Sequence, residues 1–141
     1  MGKFKYQIYY DKLFNCGIRM PQLFEPNGMI AFRFMFSSDN PKNHKPVSIL
    51  NPSRDLPDEL KYSGYALSCY DDEDKAVARY KSLCKINKKM HLILGDALCS
   101  GYIVNSDGMV SEVDTNTRHF DFYEYDEFNP QERFTIKRTL I

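Results

Sequence analysis

Residues 29–36 alternate without a break: Ile30, Phe32, Phe34 and Phe36 fall on one side, and Ala31, Arg33 and Met35 on the other. Period-two alternation this rich in rings predicts a half-buried β-strand. Residues 3–10 alternate in the same way, with Phe4, Tyr6, Ile8 and Tyr10 set against Lys3, Lys5 and Gln7, and are also expected to form a strand. Between them, Pro21, Pro26, Asn27 and Gly28 mark an irregular connection, with a short helix near residues 12–16. Residues 37–57 carry Pro41, Pro46, Pro52 and Pro57 among polar residues, which predicts a long loop with a short strand at 47–50. Loops of this length are uncommon in compact domains unless they are functional or unstructured. A helical turn over 57–62 and a strand over 64–70 follow.

The clearest helix covers about residues 71–87. Ala76, Val77, Tyr80, Leu83 and Cys84 make one apolar stripe at helical period. Asp72, Glu73 and Asp74 crowd the first turn and Lys85, Lys88 and Lys89 the last, as the helix dipole favours. Asp71, or Ser68 just upstream, is the expected cap. Residues 90–94 read as a strand, with a short helix running on through Leu98 as the competitor. Residues 101–104 and 109–113 flank Asn105, Ser106, Asp107 and Gly108, which predicts a hairpin. Residues 119–125 and 133–140 complete the set. Six or seven strands joined by short turns, with one main amphipathic helix, predict an α+β fold. The sheet is expected to be curved and mostly antiparallel, with the helix packed on it, in a single domain over residues 1–141.

Composition narrows the classes. The 141 residues are 43% hydrophobic and 27% charged, which is globular rather than disordered. Lys plus Arg and Asp plus Glu each number 19, so the net charge is zero. Lys85, Lys88, Lys89, Lys137 and Arg138 stand without a basic excess elsewhere, which argues against a nucleic-acid partner. No run approaches the ~20 apolar residues of a membrane span. The opening residues lack the apolar core of a secretory leader. Cys16, Cys69, Cys84 and Cys99 show no C-x-x-C spacing, so free thiols are expected rather than a zinc or redox site. Together these predict a cytoplasmic protein.

Fingerprints for phosphate loops, dinucleotide-binding folds, helical zinc proteases and serine-hydrolase elbows are all absent. His119 and Asp121 share a strand face, but two ligands do not make a metal site. Arg33, inside a strong strand, is either a solvated side chain or a fixed clamp for phosphate or carboxylate. Ser68 ends a strand just before the capped helix. Glu112 and Glu124 lie on later strands.

The order of these elements across residues 29–125 resembles the compact ADP-ribosyltransferase-like domains, including the small toxins named for an Arg–Glu–Ser signature. The resemblance implies NAD as substrate. It assigns Arg33 to the cofactor phosphate or ribose, Ser68 to steadying that arginine and the nicotinamide side, and Glu112 or Glu124 to positioning the ribose. Tyr65 or Tyr70 would stack on nicotinamide. The implied chemistry is N-glycosidic cleavage through an oxocarbenium-like state that a carboxylate stabilises. That role requires Arg33, Ser68 and a carboxylate in one cleft. The alternative is a non-catalytic interaction module, with Asp121, Tyr123, Glu124, Tyr125, Asp126 and Glu127 facing a basic protein partner. It requires Tyr123 and Tyr125 to be exposed together.

Overall fold

A computed structural model describes residues 2–141. Six strands form its centre: β1 (Met29–Met35), β2 (Leu67–Tyr70), β3 (Ala97–Ile103), β4 (Gly108–Val110), β5 (His119–Glu124) and β6 (Thr135–Thr139). They run antiparallel in the order β4-β5-β2-β1-β3-β6 and do not close into a barrel. The expected α+β class and antiparallel sheet are therefore present. The helices are α1 (Gln7–Asn15), α2 (Val47–Leu50), α3 (Glu73–Ile86), α4 (His91–Leu94) and α5 (Pro130–Arg133). Short 3-10 turns occupy Asp58–Leu60 and Ser63–Tyr65. Among the described residues no helix is long and apolar enough to cross a membrane.

Alternation along the strands divides the rings between two faces. Ala31, Leu67, Cys69, Cys99, Phe120 and Phe122 pack on one, where Phe128 and Phe134 close over them. Phe32, Tyr70 and Leu98 face the other and meet Ala76 and Val77 of α3. The α3 N-terminus is capped by Asp72, whose carboxylate accepts from the Lys75 amide at 3.0 Å. Asp71 instead forms a two-pronged pair with Arg118 at 2.8 and 2.5 Å, so neither it nor Ser68 is the cap.

Four expected elements are also corrected. Residues 3–10 do not form a strand. Tyr6, Tyr10 and Leu13, spaced as one side of a helix, pack against Tyr62 and Tyr123, while Ile8 is 66% exposed. The first ten residues satisfy both periods, and burial against Tyr123 selects the helical one. Residues 47–50 and 90–94 are short helices, not strands. The hairpin over 101–113 does not form. The Asp107 amide does close a turn onto Val104, and its carboxylate holds the Val104 amide. Arg133 then grips that carboxylate, and β4 leaves to pair with β5 at the opposite edge of the sheet from β6.

Gly95 ends α4 at φ +105°, and an added Cβ would sit 2.2 Å from the Met35 carbonyl oxygen. Its own carbonyl accepts from the Tyr80 hydroxyl at 2.7 Å. Strained φ and a rigid backbone clash each cost about 1–3 kcal/mol. Gly95→Ala is therefore expected to lose about 2–5 kcal/mol, read from the shift in urea midpoint at unchanged slope. A midpoint equal to that of the parent would contradict this account.

Candidate functional site

β1 and β2 share a single registered pair, Phe32↔Tyr70. Beyond it the Arg33 side chain spans the two strands, donating from Nη1 to the Ser68 carbonyl at 2.5 Å. The parted strands open a cavity of about 740 Å³, within the range that holds small ligands. Residues from both sheet faces reach it: Arg33 and His44 from one, Ser68, Tyr70, His119 and Asp121 from the other.

The proline-rich loop supplies one wall because Asn43 folds it back. The Asn43 side chain accepts from the Phe36 amide at 2.8 Å and donates to the Phe36 and Ser38 carbonyls at 3.0 and 3.2 Å. Asp96 fixes the loop entry by accepting from both the amide and the hydroxyl of Ser37. This brings His44, at φ +57°, onto Phe134, with ring centroids 5.2 Å apart. A non-glycine residue held in this region marks a conformation that its surroundings impose. His44 Nδ1 accepts from Arg33 Nε at 3.2 Å, which puts the ring proton of neutral His44 on Nε2. Burial, and then the Arg33 charge, push the His44 pKa down to about 3. Arg33 is thus pinned at two nitrogens and 7% exposed, with donors still uncommitted.

Ser68, His119 and Asp121 project from one face of the β2–β5 ladder, where Ser68 lies opposite Asp121 and Tyr70 opposite His119. Ser68 Oγ lies 2.6 Å from His119 Nε2. Asp121 Oδ1 is 3.9 Å from the same nitrogen. Burial lowers the His119 pKa against the pull of Asp121 and Asp114. Burial also raises the Asp121 pKa, opposed by His119 and by a hydrogen bond from Ser63. Tyr70 meets the His119 ring edge-on at 5.3 Å.

Of the residues that the resemblance assigned, Arg33, Ser68 and Tyr70 meet here, joined by His119 and Asp121. The others do not. Glu124 lies on the opposite face of β5 from Asp121, 1% exposed and paired with Lys5 at 2.5 Å. Glu112 is exposed and Tyr65 stacks on Tyr9 at 4.7 Å, and neither lines the cavity. Asp121 is the carboxylate that shares the cleft with Arg33 and Ser68. The steadying of Arg33 also comes from the Ser68 carbonyl, not its hydroxyl. The acidic, aromatic segment forms no continuous surface: Tyr123, Glu124 and Tyr125 are buried, and only Asp126 and Glu127 are exposed. His44 carries no periodic signal, because nothing in an Asn-His-Lys-Pro stretch has a period. Its only signal was the unusual length of its loop. Comparison with known proteins gives no family model, no curated protein and no solved structure that matches this chain.

Proposed function

We propose that the cavity binds a dinucleotide of the NAD type and cleaves its N-glycosidic bond, as ADP-ribosyltransferase-like domains do. The observation that carries this reading is the meeting of Arg33 and Ser68 in one cavity. Four cations line it, Arg33, Lys42, Lys45 and Arg79, against two carboxylates, Asp114 and Asp121. That balance favours an anionic ligand, and a guanidinium fixed in advance loses little freedom when it grips a phosphate. The His119 ring, 34% exposed at its side chain with buried Tyr70 set against it, offers a surface for a flat base. Asp121, in place of Glu112 or Glu124, is the carboxylate available to stabilise positive charge developing at the ribose carbon. A cytoplasmic location, where NAD is abundant and thiols stay reduced, agrees with the four free cysteines.

The test is incubation with NAD, with released nicotinamide measured by chromatography. Native protein should release it, and Arg33→Ala should lower kcat/KM by roughly 100-fold or more, the size of losing one preorganised electrostatic contact. No release, together with no NAD-induced rise in melting temperature, would sink the reading. Tyr123 and Tyr125, which an interaction surface on this segment would need exposed together, are both buried.

A further inference from the structure

The dinucleotide reading uses the Ser68 carbonyl and leaves its hydroxyl unexplained. Arg33 occupies the carbonyl, so Oγ is not needed to orient the guanidinium. Instead it makes a short 2.6 Å contact with His119 Nε2, on a residue that is solvent-exposed in the cavity while its neighbours Leu67 and Cys69 are buried. A serine hydroxyl within hydrogen-bond reach of an imidazole is the arrangement that makes an alcohol nucleophilic. His119 is 34% exposed at its side chain, open enough to exchange protons. Its depressed pKa keeps it the neutral base at physiological pH. Arg33 donates to the carbonyl of the same serine and lines the same cavity, so a positive charge borders the site.

The cavity is divided in character. Apolar side chains line part of it, among them Phe34, Val47, Leu50, Leu83, Ile93 and Leu94. Of these, Val47, Leu50 and Ile93 stay 39%, 46% and 62% exposed. An apolar wall beside a nucleophile suits an acyl chain.

We propose that Ser68 is a nucleophile activated by His119, and that the cavity hydrolyses carboxylic esters with a short apolar acyl group. Ser68 Oγ attacks the ester carbonyl carbon while its proton passes to His119 Nε2. The bond to the alcohol oxygen then breaks and the alcohol leaves with that proton, giving an acyl-Ser68. Water, losing a proton to the same nitrogen, attacks the acyl carbon; the acid leaves and Ser68 recovers its hydrogen. Ester and water become acid and alcohol with no further reactant. This proposal does not rest on the dinucleotide reading, and the two fail separately.

The probe is an alkyl fluorophosphonate, whose phosphorus takes the serine oxygen as fluoride departs. Intact-mass analysis of native protein should show one adduct, mapped to Ser68 by peptide sequencing. Ser68→Ala should abolish it, and His119→Gln should slow labelling by about 100-fold, the low end of general-base contributions. Both variants are first shown to be folded by an unchanged circular dichroism spectrum. If His119→Gln fails to fold, the native labelling rate against pH replaces it, and it should fall as His119 is protonated. Hydrolysis of p-nitrophenyl butyrate should exceed that of the acetate and vanish with Ser68→Ala. No adduct on native protein, equal labelling of Ser68→Ala, or a pH-independent rate overturns the proposal. Nicotinamide release without Ser68 labelling leaves only the dinucleotide reading standing, and labelling without release leaves only this one.

Discussion

Lys5→Met should cost about 3–5 kcal/mol, a large part of what holds a domain of this size together. Glu124 is 1% exposed, and its Oε1 accepts from Lys5 Nζ at 2.5 Å, while Oε2 has no hydrogen-bond partner. The same ammonium also donates to the Phe128 carbonyl at 2.8 Å. Methionine keeps most of the lysine stem but strands both acceptors. Burial already raises the Glu124 pKa, and Lys5 is the leading opposing influence. Removing Lys5 lifts it further. A carboxyl whose folded pKa exceeds its unfolded value destabilises the fold once pH rises above the unfolded value. The deficit of Lys5→Met should therefore be largest at neutral pH and shrink toward pH 4.5, as the stranded carboxyl takes a proton in both states. Urea midpoints at pH 7 and pH 5 read both effects. Glu124→Gln in the Lys5→Met background should recover part of the loss, because it removes the unpaired charge. A deficit that is small, or that grows on acidification, would contradict this view of the pair.

That pair also shows where the sequence was legible and where it was not. Glu124 was visible as a carboxylate on a strand, and strand alternation alone puts it on the opposite face from Asp121. What alternation does not give is which face opens into a cavity. That depends on β1 and β2 parting after one registered pair, a long-range event with no local signature. β1 and α3 were readable because period, end charges and caps all agree. The start of α1 reads as a strand because Phe4, Tyr6, Ile8 and Tyr10 fit period two, and only the packing of Tyr10 against Tyr62 and Tyr123 decides for a helix. The hairpin failed for a similar reason. Its turn forms, but Arg133 and β5 outcompete direct pairing of its arms. In the site, Arg33 and Ser68 stood out as anomalies within regular elements. His44 lies in no regular element, and its importance exists only through Arg33.

Acidification should unfold the parent protein more steeply than a His44→Asn variant. An unfolded histidine takes its proton near pH 6.5, whereas burial and Arg33 delay protonation of folded His44 to about 3. Between those values the unfolded chain binds the extra proton, so stability is lost as pH falls. The limiting slope is about 1.4 kcal/mol per pH unit for one proton. His119 adds in the same direction, and Asp121, whose folded pKa is raised, acts in the opposite one. Comparing the two proteins isolates His44. Asparagine is the chosen replacement because it tolerates the φ of +57° and keeps an acceptor for Arg33 Nε. At pH 7 the variant should be the less stable, since the stack on Phe134 is lost. The gap should close by about 1 kcal/mol per unit as pH drops from 6 to 4. Urea midpoints measure the slopes, and NMR titration of the His44 ring should show no protonation near 6.5. Parallel slopes, or an ordinary His44 titration, would refute the assignment. The consequence reaches the cavity directly. Protonated His44 presents a cation and an N–H to Arg33 Nε where it had presented a lone pair, so the guanidinium loses one of its two anchors.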